Sequence, residues 1–183
     1  MLTQFPHYPR MGYDNSYGVQ IINKTEYDTL GNNWPACKEL INKCRSMADE
    51  LDPNETGANP DVNKACVDAY LFCVNSVEPP MGEMMRNFYD ITTTVPFSYP
   101  PKYYAAYFNS GEVQRELGVP LNITGLSTAV YESFLFKTGD FVRGHQLAQL
   151  GGLLDKGVKV ALVYGDRDYQ CNCESFILCL LGW

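Results

Sequence analysis

Apolar side chains recur at helical spacing along much of this chain, and one short run is apolar almost without interruption. Two stripes, with apolar residues three or four positions apart, predict helices over residues 127–137 and 146–155 whose apolar faces lie in a core. The uninterrupted run, Val158–Tyr164, has apolar residues on both faces and a single lysine, which is typical of a parallel strand covered by helices on both sides. Gly157 ends the second helix, so the pattern predicts a helix followed by one buried parallel β-strand. The stripes consist of Val130, Phe134 and Leu135 in the first helix and of Leu147, Leu150, Leu153 and Leu154 in the second.

The amino-terminal half predicts a helical hairpin. Helical patterns over about 35–49 and 60–76 are separated by residues 52–60, which are dense in turn-forming residues. The other predicted elements are a loop and short helix within 1–33 (the helix over about 16–30), an extended segment over 79–101 with a short strand or edge contact at 88–91, and helices over 102–109 and 112–117, the latter ended by Gly118.

Four cysteines lie on the two helices of this hairpin. Cys37 and Cys44 are seven residues apart, as are Cys66 and Cys73, so each pair shares one helix face. An antiparallel hairpin sets Cys37 opposite Cys73 and Cys44 opposite Cys66. The other pairing, Cys37 with Cys66 and Cys44 with Cys73, needs helices that run in the same direction. Zinc is the rival interpretation, but the Cys-x6-Cys spacing is not that of a zinc site, so we expect nested disulfides, no metal and no cofactor.

Oxidised cysteine pairs indicate the secretory pathway, with an extracellular or vacuolar destination. Asn-x-Ser/Thr sequons at Asn23, Asn54 and Asn122 fit that route. The amino terminus lacks the basic flank and apolar run of a signal peptide, so we expect none within this chain. The net charge of −7 argues against nucleic acid and anionic membranes as partners, and no apolar run is long enough to span a bilayer.

Two aspartates, Asp166 and Asp168, follow the apolar run in a glycine turn. The loops at the carboxyl ends of parallel strands converge on one crevice, which is where open α/β sheets place their working groups. A carboxylate there can accept the Nδ1 proton of a histidine and so orient a general base. The alternative is a solvated acidic residue in an ordinary turn.

Several segments together resemble one enzyme family. Residues 87–91, Tyr103-Tyr104 ahead of Asn109, residues 112–119 and residues 157–172 occur in the order and wording of the fungal serine carboxypeptidases. The resemblance covers roughly residues 1–172 and implies a fragment of an α/β hydrolase. In that family the second aspartate of the Gly-Asp-x-Asp turn is the acid of a Ser-Asp-His triad, which implies that role for Asp168. The resemblance likewise implies that Cys171 lies near the acyl side of the substrate, and it agrees with the nested bridges.

The resemblance implies three regions. Residues 1–138 form the helical cap insertion, with the hairpin at about 35–76, and residues 139–172 form an αβ unit of the hydrolase core. The cap restricts entry to chain ends, and some of its aromatic residues line the pocket. Residues 173–183 form an anomalous tail, for which we hypothesise translated intron or a truncated gene prediction. The alternatives to this hypothesis are a genuine apolar tail packed on the sheet and a metal site formed by Cys171, Cys173 and Cys179.

The other two triad members are missing. No Gly-x-Ser-x-Gly motif is present, and the nearest sequence, around Ser127, lacks the second glycine, so Ser127 is interpreted as a helix cap. His7 and His145 both precede Asp168, whereas the histidine should follow the acid. We therefore expect a serine-type carboxypeptidase fragment that is inactive alone, with Asp166 bonding turn amides.

The expected partners are the carboxyl termini of peptides or proteins and the missing parts of the fragment's own α/β core. The alternative function is a non-catalytic secreted binding module built on the disulfide hairpin, and a third is another α/β hydrolase such as an esterase.

Overall fold

The computed structural model describes residues 5–79, 86–94 and 103–171. These residues are mostly helical, with one two-stranded antiparallel sheet in which Arg86 pairs with Thr94 and Asn87 with Asp90. The elements in chain order are α1 (Tyr8–Tyr13), α2 (Lys24–Leu51), α3 (Pro60–Ser76), β1 (Arg86–Asn87), β2 (Asp90–Thr94), α4 (Tyr103–Phe108), α5 (Gly111–Leu117), α6 (Thr128–Glu132), a π-helix (Ser133–Lys137), α7 (Asp140–Arg143) and α8 (Gln146–Asp155). The anomalous tail at 173–183, and most of the predicted extended segment at 79–101, lie outside the described residues.

Helix α2 begins at a capping box. The Asn23 side chain accepts a hydrogen bond from the Glu26 amide, and the Glu26 carboxylate accepts one from the Asn23 amide. The helix then runs on through Pro35, where the sequence predicted a separate start. The prediction was wrong because a 28-residue helix with a buried stripe tolerates the loss of one backbone bond.

The short helix predicted over about 16–30 was also wrong at its amino-terminal end. There the Asn15 side chain organises a loop, since its amide donates to the carbonyl oxygens of Met11 and Val19 and its Oδ1 accepts from the amides of Tyr17 and Val19. An asparagine that bonds the backbone on both sides offers the chain an alternative to helix.

Helix α3 has the bounds that the sequence predicted. Asn59 caps it by accepting from the amides of Asp61 and Val62, and Pro60 occupies its first turn. Cys37 is bonded to Cys73 and Cys44 to Cys66, with Cα–Cα distances of 5.1 and 4.8 Å. This is the nested pairing of an antiparallel hairpin.

One hydrophobic core joins the hairpin to the parts of the chain that flank it. The four bridged cysteines lie at its centre and are fully buried. Around them pack apolar residues from α1, α2, α3, β2, the π-helix, α7, the turn after residue 164 and the residues that precede α1 and follow α3. They are Phe5, Tyr8, Met11, Ile41, Ala48, Val62, Ala69, Tyr70, Val77, Ile91, Leu135, Val142 and Tyr169.

A buried ion pair attaches residues 139–145 to the turn of the hairpin. The Arg143 guanidinium donates to Asp52 Oδ2 at 3.0 Å and also bonds the Asn63 side chain, and both ionic side chains are almost completely buried. Gly139 lies so close to Cys66 that an added Cβ would come within 2.6 Å of its backbone. The positive φ of 65° at Gly139 also favours glycine.

The segment between residues 103 and 164 differs from the predicted packing. Gly118 ends α5 in the left-handed conformation, as predicted, and α8 has its predicted bounds. The predicted helix over 127–137 divides into α6 and the π-helix, and of its stripe only Leu135 is buried, whereas Val130 and Phe134 are each 52% exposed. Leu153 and Leu154 of α8 are also about half exposed. The expectation that both stripes lie in a core was therefore wrong for most of their described side chains.

The buried parallel strand at residues 158–164 is the main correction. These residues form neither helix nor strand, and Val163 is 94% exposed. A parallel strand depends on neighbouring strands for its backbone hydrogen bonds and its cover. The described part of the chain supplies β1 and β2 alone, and they pair with each other.

Candidate active site at the acid turn

The acid turn, defined here as Gly165–Cys171, is held against the β1–β2 hairpin by backbone hydrogen bonds. The amide of Ile91 donates to the carbonyl oxygen of Arg167 at 3.0 Å, and the amide of Tyr169 donates to that of Phe88 at 2.9 Å. The Arg167 guanidinium adds a 3.4 Å contact to Thr92 Oγ1. Residues 88–91, predicted as a short strand or edge contact, form the turn and the start of β2, and they help to position the two residues that flank Asp168.

The Tyr169 side chain fixes the acid turn from inside the core. Its ring is fully buried and stacks on the ring of Tyr8, with centroids 5.1 Å apart and an interplanar angle of 17°. Its hydroxyl donates to the Tyr8 carbonyl oxygen at 3.4 Å. Burial, and then the nearby Glu78 carboxyl, raises the pKa of Tyr169 well above its ordinary value, so the ring is a neutral member of the core.

Asp168 uses one carboxylate oxygen inside the turn. Its Oδ1 accepts a hydrogen bond of 2.8 Å from the Cys171 amide, and its side chain is half-buried. Among the described residues, Oδ2 of Asp168 has no hydrogen-bond partner. The turn therefore presents a carboxylate whose orientation is set through one oxygen while the other can accept a proton donor such as an imidazole N–H.

The role predicted for Asp166 in bonding the amides of the turn was wrong. We expected it to bond turn amides, but this carboxylate is exposed and bonds no amide in the described ranges. Asp168 takes that role through the Cys171 amide. Spacing alone could not distinguish two aspartates one residue apart, because the choice depends on how the turn is folded.

Cys171 carries a free, exposed thiol directly beside Asp168. Burial, and then the Asp168 carboxylate, raises the pKa of this thiol. A raised pKa lowers the fraction of thiolate, which is the nucleophilic form, and the place of Cys171 beside the substrate remains a prediction.

Glu78 is a carboxyl group with a raised pKa that sequence reasoning missed. It follows α3 between Val77 and Pro79, both fully buried, and burial raises the pKa of its carboxyl to about 7. Burial chiefly, and then the Glu78 carboxyl, also raises the pKa of Tyr8, the ring on which Tyr169 stacks. The only signal in the sequence was a lone acidic residue between an apolar helix end and two prolines.

The remaining predicted residues lie elsewhere. His145 begins α8 and its Nε2 is 3.0 Å from Asp49 Oδ1 near the end of α2. His7 precedes α1, and its pKa is lowered by burial and then by Arg10. Ser127 is the N-cap residue of α6, although its side chain makes no cap hydrogen bond. No hydrogen bond joins either histidine to Asp168 in the described part of the chain.

All three sequon asparagines are exposed. Asn23 caps α2, Asn54 lies in the turn of the hairpin, and Asn122 accepts a hydrogen bond from the Gln114 side chain. The hydrogen bonds that Asn23 and Asn122 accept are made through Oδ1, so they do not use the amide nitrogen to which a glycan attaches. Glycosylation remains a prediction at each.

Residues 5–79, 86–94 and 103–171 contain neither a candidate metal centre nor a helix suited to a bilayer. There, no three His, Cys, Asp or Glu side chains are grouped closely enough to hold a metal ion. Cys173 and Cys179 of the three-cysteine alternative lie outside those ranges. Within them, no helix combines the length and apolar character that crossing a bilayer requires.

A carboxylate held in a turn beside a thiol is compatible with a triad hydrolase, and comparison with known proteins defines the class as serine peptidases. The sequence model of the serine carboxypeptidase family matches residues 2–176. The chain therefore belongs to the serine carboxypeptidase family.

Its relatives are fungal carboxypeptidases. The chain is 41% identical to carboxypeptidase S1 homolog B of Arthroderma otae over 175 residues, which are 93% of this chain and 27% of the relative. It is 34% identical to carboxypeptidase S1 homolog A of Trichophyton rubrum over 94% of this chain and 27% of the relative. It is 31% identical to carboxypeptidase Y of Schizosaccharomyces pombe over 93% of this chain and 16% of the relative. The chain thus spans about a quarter, or less, of the length of these relatives.

Proposed function

We propose that this chain is the part of a serine-type carboxypeptidase that supplies the triad acid, and that the complete enzyme releases residues from the carboxyl termini of peptides by acyl transfer. The observation that carries the proposal is the Asp168 carboxylate, which is oriented through Oδ1 and has Oδ2 available for a further donor. Membership of the family supports the choice of reaction.

In this proposal each triad member has one task. A serine from sequence outside these residues attacks the scissile carbonyl, and a histidine, also from outside, takes the serine proton and later gives it to the leaving amine. Asp168 accepts the Nδ1–H of that histidine through Oδ2, which holds the working tautomer and stabilises the imidazolium. Cys171 lies next to the acid, on the acyl side of the substrate.

The rest of an α/β-hydrolase core is proposed as the partner of this chain. What supports it is the exposed segment 158–164, which runs from α8 to the acid turn with most of its apolar side chains uncovered. Neighbouring parallel strands would give this segment the hydrogen bonds and cover that the sequence pattern anticipates. In the complete enzyme it would then be the strand at whose carboxyl end Asp168 lies.

Residues 1–138 are proposed as the cap that limits entry to chain ends. The buried disulfides support a secretory origin, with an extracellular or vacuolar destination, because such bonds persist in oxidising compartments.

The test compares two proteins. One is the 183-residue chain alone, and the other is a chimera in which residues 2–172, without the anomalous tail, replace the matching segment of carboxypeptidase S1 homolog B. We expect the chain alone to release no amino acid from an amino-blocked dipeptide, because it supplies neither nucleophile nor base, and the chimera to release the carboxyl-terminal residue. Turnover by the purified chain, absent from a mock purification, contradicts the proposal. So does a folded chimera without activity.

A secreted binding module is the second candidate, favoured by the two disulfides and by the buried core around them. It predicts that the chain folds alone and that Asp168→Asn has no functional effect. The exposed apolar segment 158–164 has no role in this alternative.

A further inference from the structure

The acid turn is not held equally from its two sides. On its amino-terminal side, residues 158–164 form no strand and are largely exposed in the described structure. On its carboxyl-terminal side, Tyr169 is fully buried. The side-chain anchor of the turn is therefore the residue that directly follows Asp168.

Three contacts tie Tyr169 to parts of the chain that are distant in sequence. Its ring stacks on Tyr8, its hydroxyl donates to the Tyr8 carbonyl oxygen, and its amide donates to the Phe88 carbonyl oxygen at 2.9 Å. Tyr8 is the first residue of α1 and is itself buried, with Phe5 in an edge-on contact whose centroid distance is 6.1 Å. A large flat ring in such a slot has few alternative positions, so it fixes the backbone from which Asp168 projects.

We propose that Tyr169, through its stack on Tyr8, is a positioning residue that holds the Asp168 carboxylate in the orientation its histidine requires. This inference rests on the proposed function of Asp168. Tyr169 faces the core and acts through its neighbour. Without the ring, the turn keeps its backbone bonds to Phe88 and Ile91, the Arg167–Thr92 contact and the 2.8 Å bond from the Cys171 amide. None of these fills the space that the ring occupies in the core.

A purely structural role for Tyr169 predicts different behaviour. A core residue that contributes stability alone lowers the amount of folded protein without changing kcat per folded active site. Its effect would also be independent of whether Asp168 is present, since distant or unrelated effects add. The test therefore measures kcat per titrated active site and the coupling between the two positions.

The experiment uses the chimeric carboxypeptidase and four variants: Tyr169→Phe, Tyr169→Ala, Asp168→Asn and the double variant Asp168→Asn/Tyr169→Ala. We expect Tyr169→Ala to lower kcat by about 10²-fold with little change in KM, as a misplacement of about 1 Å commonly does. Tyr169→Phe keeps the ring in its slot and should retain kcat within about threefold, since only one hydroxyl contact is lost. The double variant should be no slower than Asp168→Asn alone, because a disordered turn cannot misplace a carboxylate that is absent.

A reduction in kcat for the double variant equal to the product of the two single reductions would overturn the inference. So would a folded Tyr169→Ala protein with unchanged kcat. If Asp168→Asn itself leaves kcat unchanged, the proposed function fails instead, so the two failures are distinguishable.

A second measurement serves where Tyr169→Ala prevents folding of the chimera. In the 183-residue chain with Cys173→Ser and Cys179→Ser, Cys171 is the one cysteine outside the two disulfides, and its labelling rate by a soluble disulfide reagent reports the order of the acid turn. We expect faster labelling in Tyr169→Ala and the parental rate in Tyr169→Phe. Equal rates in all three proteins would contradict an anchoring role.

Discussion

The disulfide hairpin and the segment between residues 103 and 164 both carry apolar stripes at helical spacing, yet they bury them very differently. In α2 and α3 the stripes lie in one core, and Ile41 and Val62 are completely inaccessible. In α8 the corresponding positions Leu153 and Leu154 are about half exposed, and Val163 beyond them is almost fully exposed. The hairpin stripes are covered by each other and by flanking parts of the chain, whereas most of the described stripe residues of the later segment are uncovered.

The contrast shows how much of the packing of a helix its hydrophobic stripe predicts. Periodicity shows that one face of an element avoids water, but it does not show which part of the protein covers that face. Exposed apolar surface on this scale is characteristic of a contact region. The exposed apolar side chains within residues 146–164 support the proposal that the rest of an α/β-hydrolase core is the partner of this chain.

The difference in burial between the hairpin and α8 is tested most strongly by truncating one leucine-sized side chain in each of them. Ile41→Ala should lower the free energy of unfolding of the 183-residue chain by about 2–5 kcal/mol, because it opens a cavity in a closed core. Leu154→Ala is the matched variant on α8 and should change it by no more than about 0.5 kcal/mol. Urea denaturation followed by circular dichroism measures both. Similar losses at the two positions would mean that α8 is packed in solution.

Removing one disulfide tests how far the hairpin depends on its bridges. The double variant Cys44→Ala/Cys66→Ala should lower the free energy of unfolding by about 2–4 kcal/mol, since an unfolded chain without the bridge gains conformational freedom. Chemical denaturation with and without a reducing agent checks this, because reduction should bring the parent down at least as far as the variant. A variant as stable as the parent would show that the core alone holds the two helices together.

The smallest expected effect is the change that Glu78 makes in how the free energy of unfolding depends on pH. Burial raises the pKa of this carboxyl from its ordinary 4.5 to about 7, so the folded chain keeps a proton that the unfolded chain releases at lower pH. The stability from this group is fully present below its unfolded pKa and is lost as the pH rises through about 7.

We expect the parent to lose about 1–2 kcal/mol from this source between pH values of about 4.5 and 7.5. Glu78→Gln should flatten the profile over that interval, whereas Glu50→Gln, at an exposed position of α2, should follow the parent. Denaturation midpoints at several pH values provide the measurement. Parallel profiles for all three proteins would show that Glu78 is well solvated.

The local chemistry of the chain predicted more than its long-range packing did. The bounds of α3 follow from Asn59, Pro60 and the helical stripe, and the nested bridges follow from two seven-residue spacings on antiparallel helices. The end of α5 follows from Gly118. These features depend on residues that are close in sequence, or on a single hairpin, so the sequence carries enough information to specify them.

The errors arose where the outcome depends on distant partners. Residues 158–164 have the composition of a buried strand, but a strand requires neighbours that the described residues do not supply. The stack of Tyr169 on Tyr8 joins positions 161 residues apart, and nothing in either local sequence indicates it. Glu78 escaped notice because its pKa depends on burial, which a pattern of single residues does not report.

The most direct test of the account is the kcat of the chimeric carboxypeptidase carrying Asp168→Asn beside that carrying Asp166→Asn. An asparagine at the triad acid keeps the shape of the side chain but favours the wrong histidine tautomer, which in serine proteases lowers kcat by about 10⁴-fold. The account predicts a loss of that order for Asp168→Asn and nearly full activity for Asp166→Asn. Equal losses at both positions, or full activity of the Asp168→Asn protein, would contradict it.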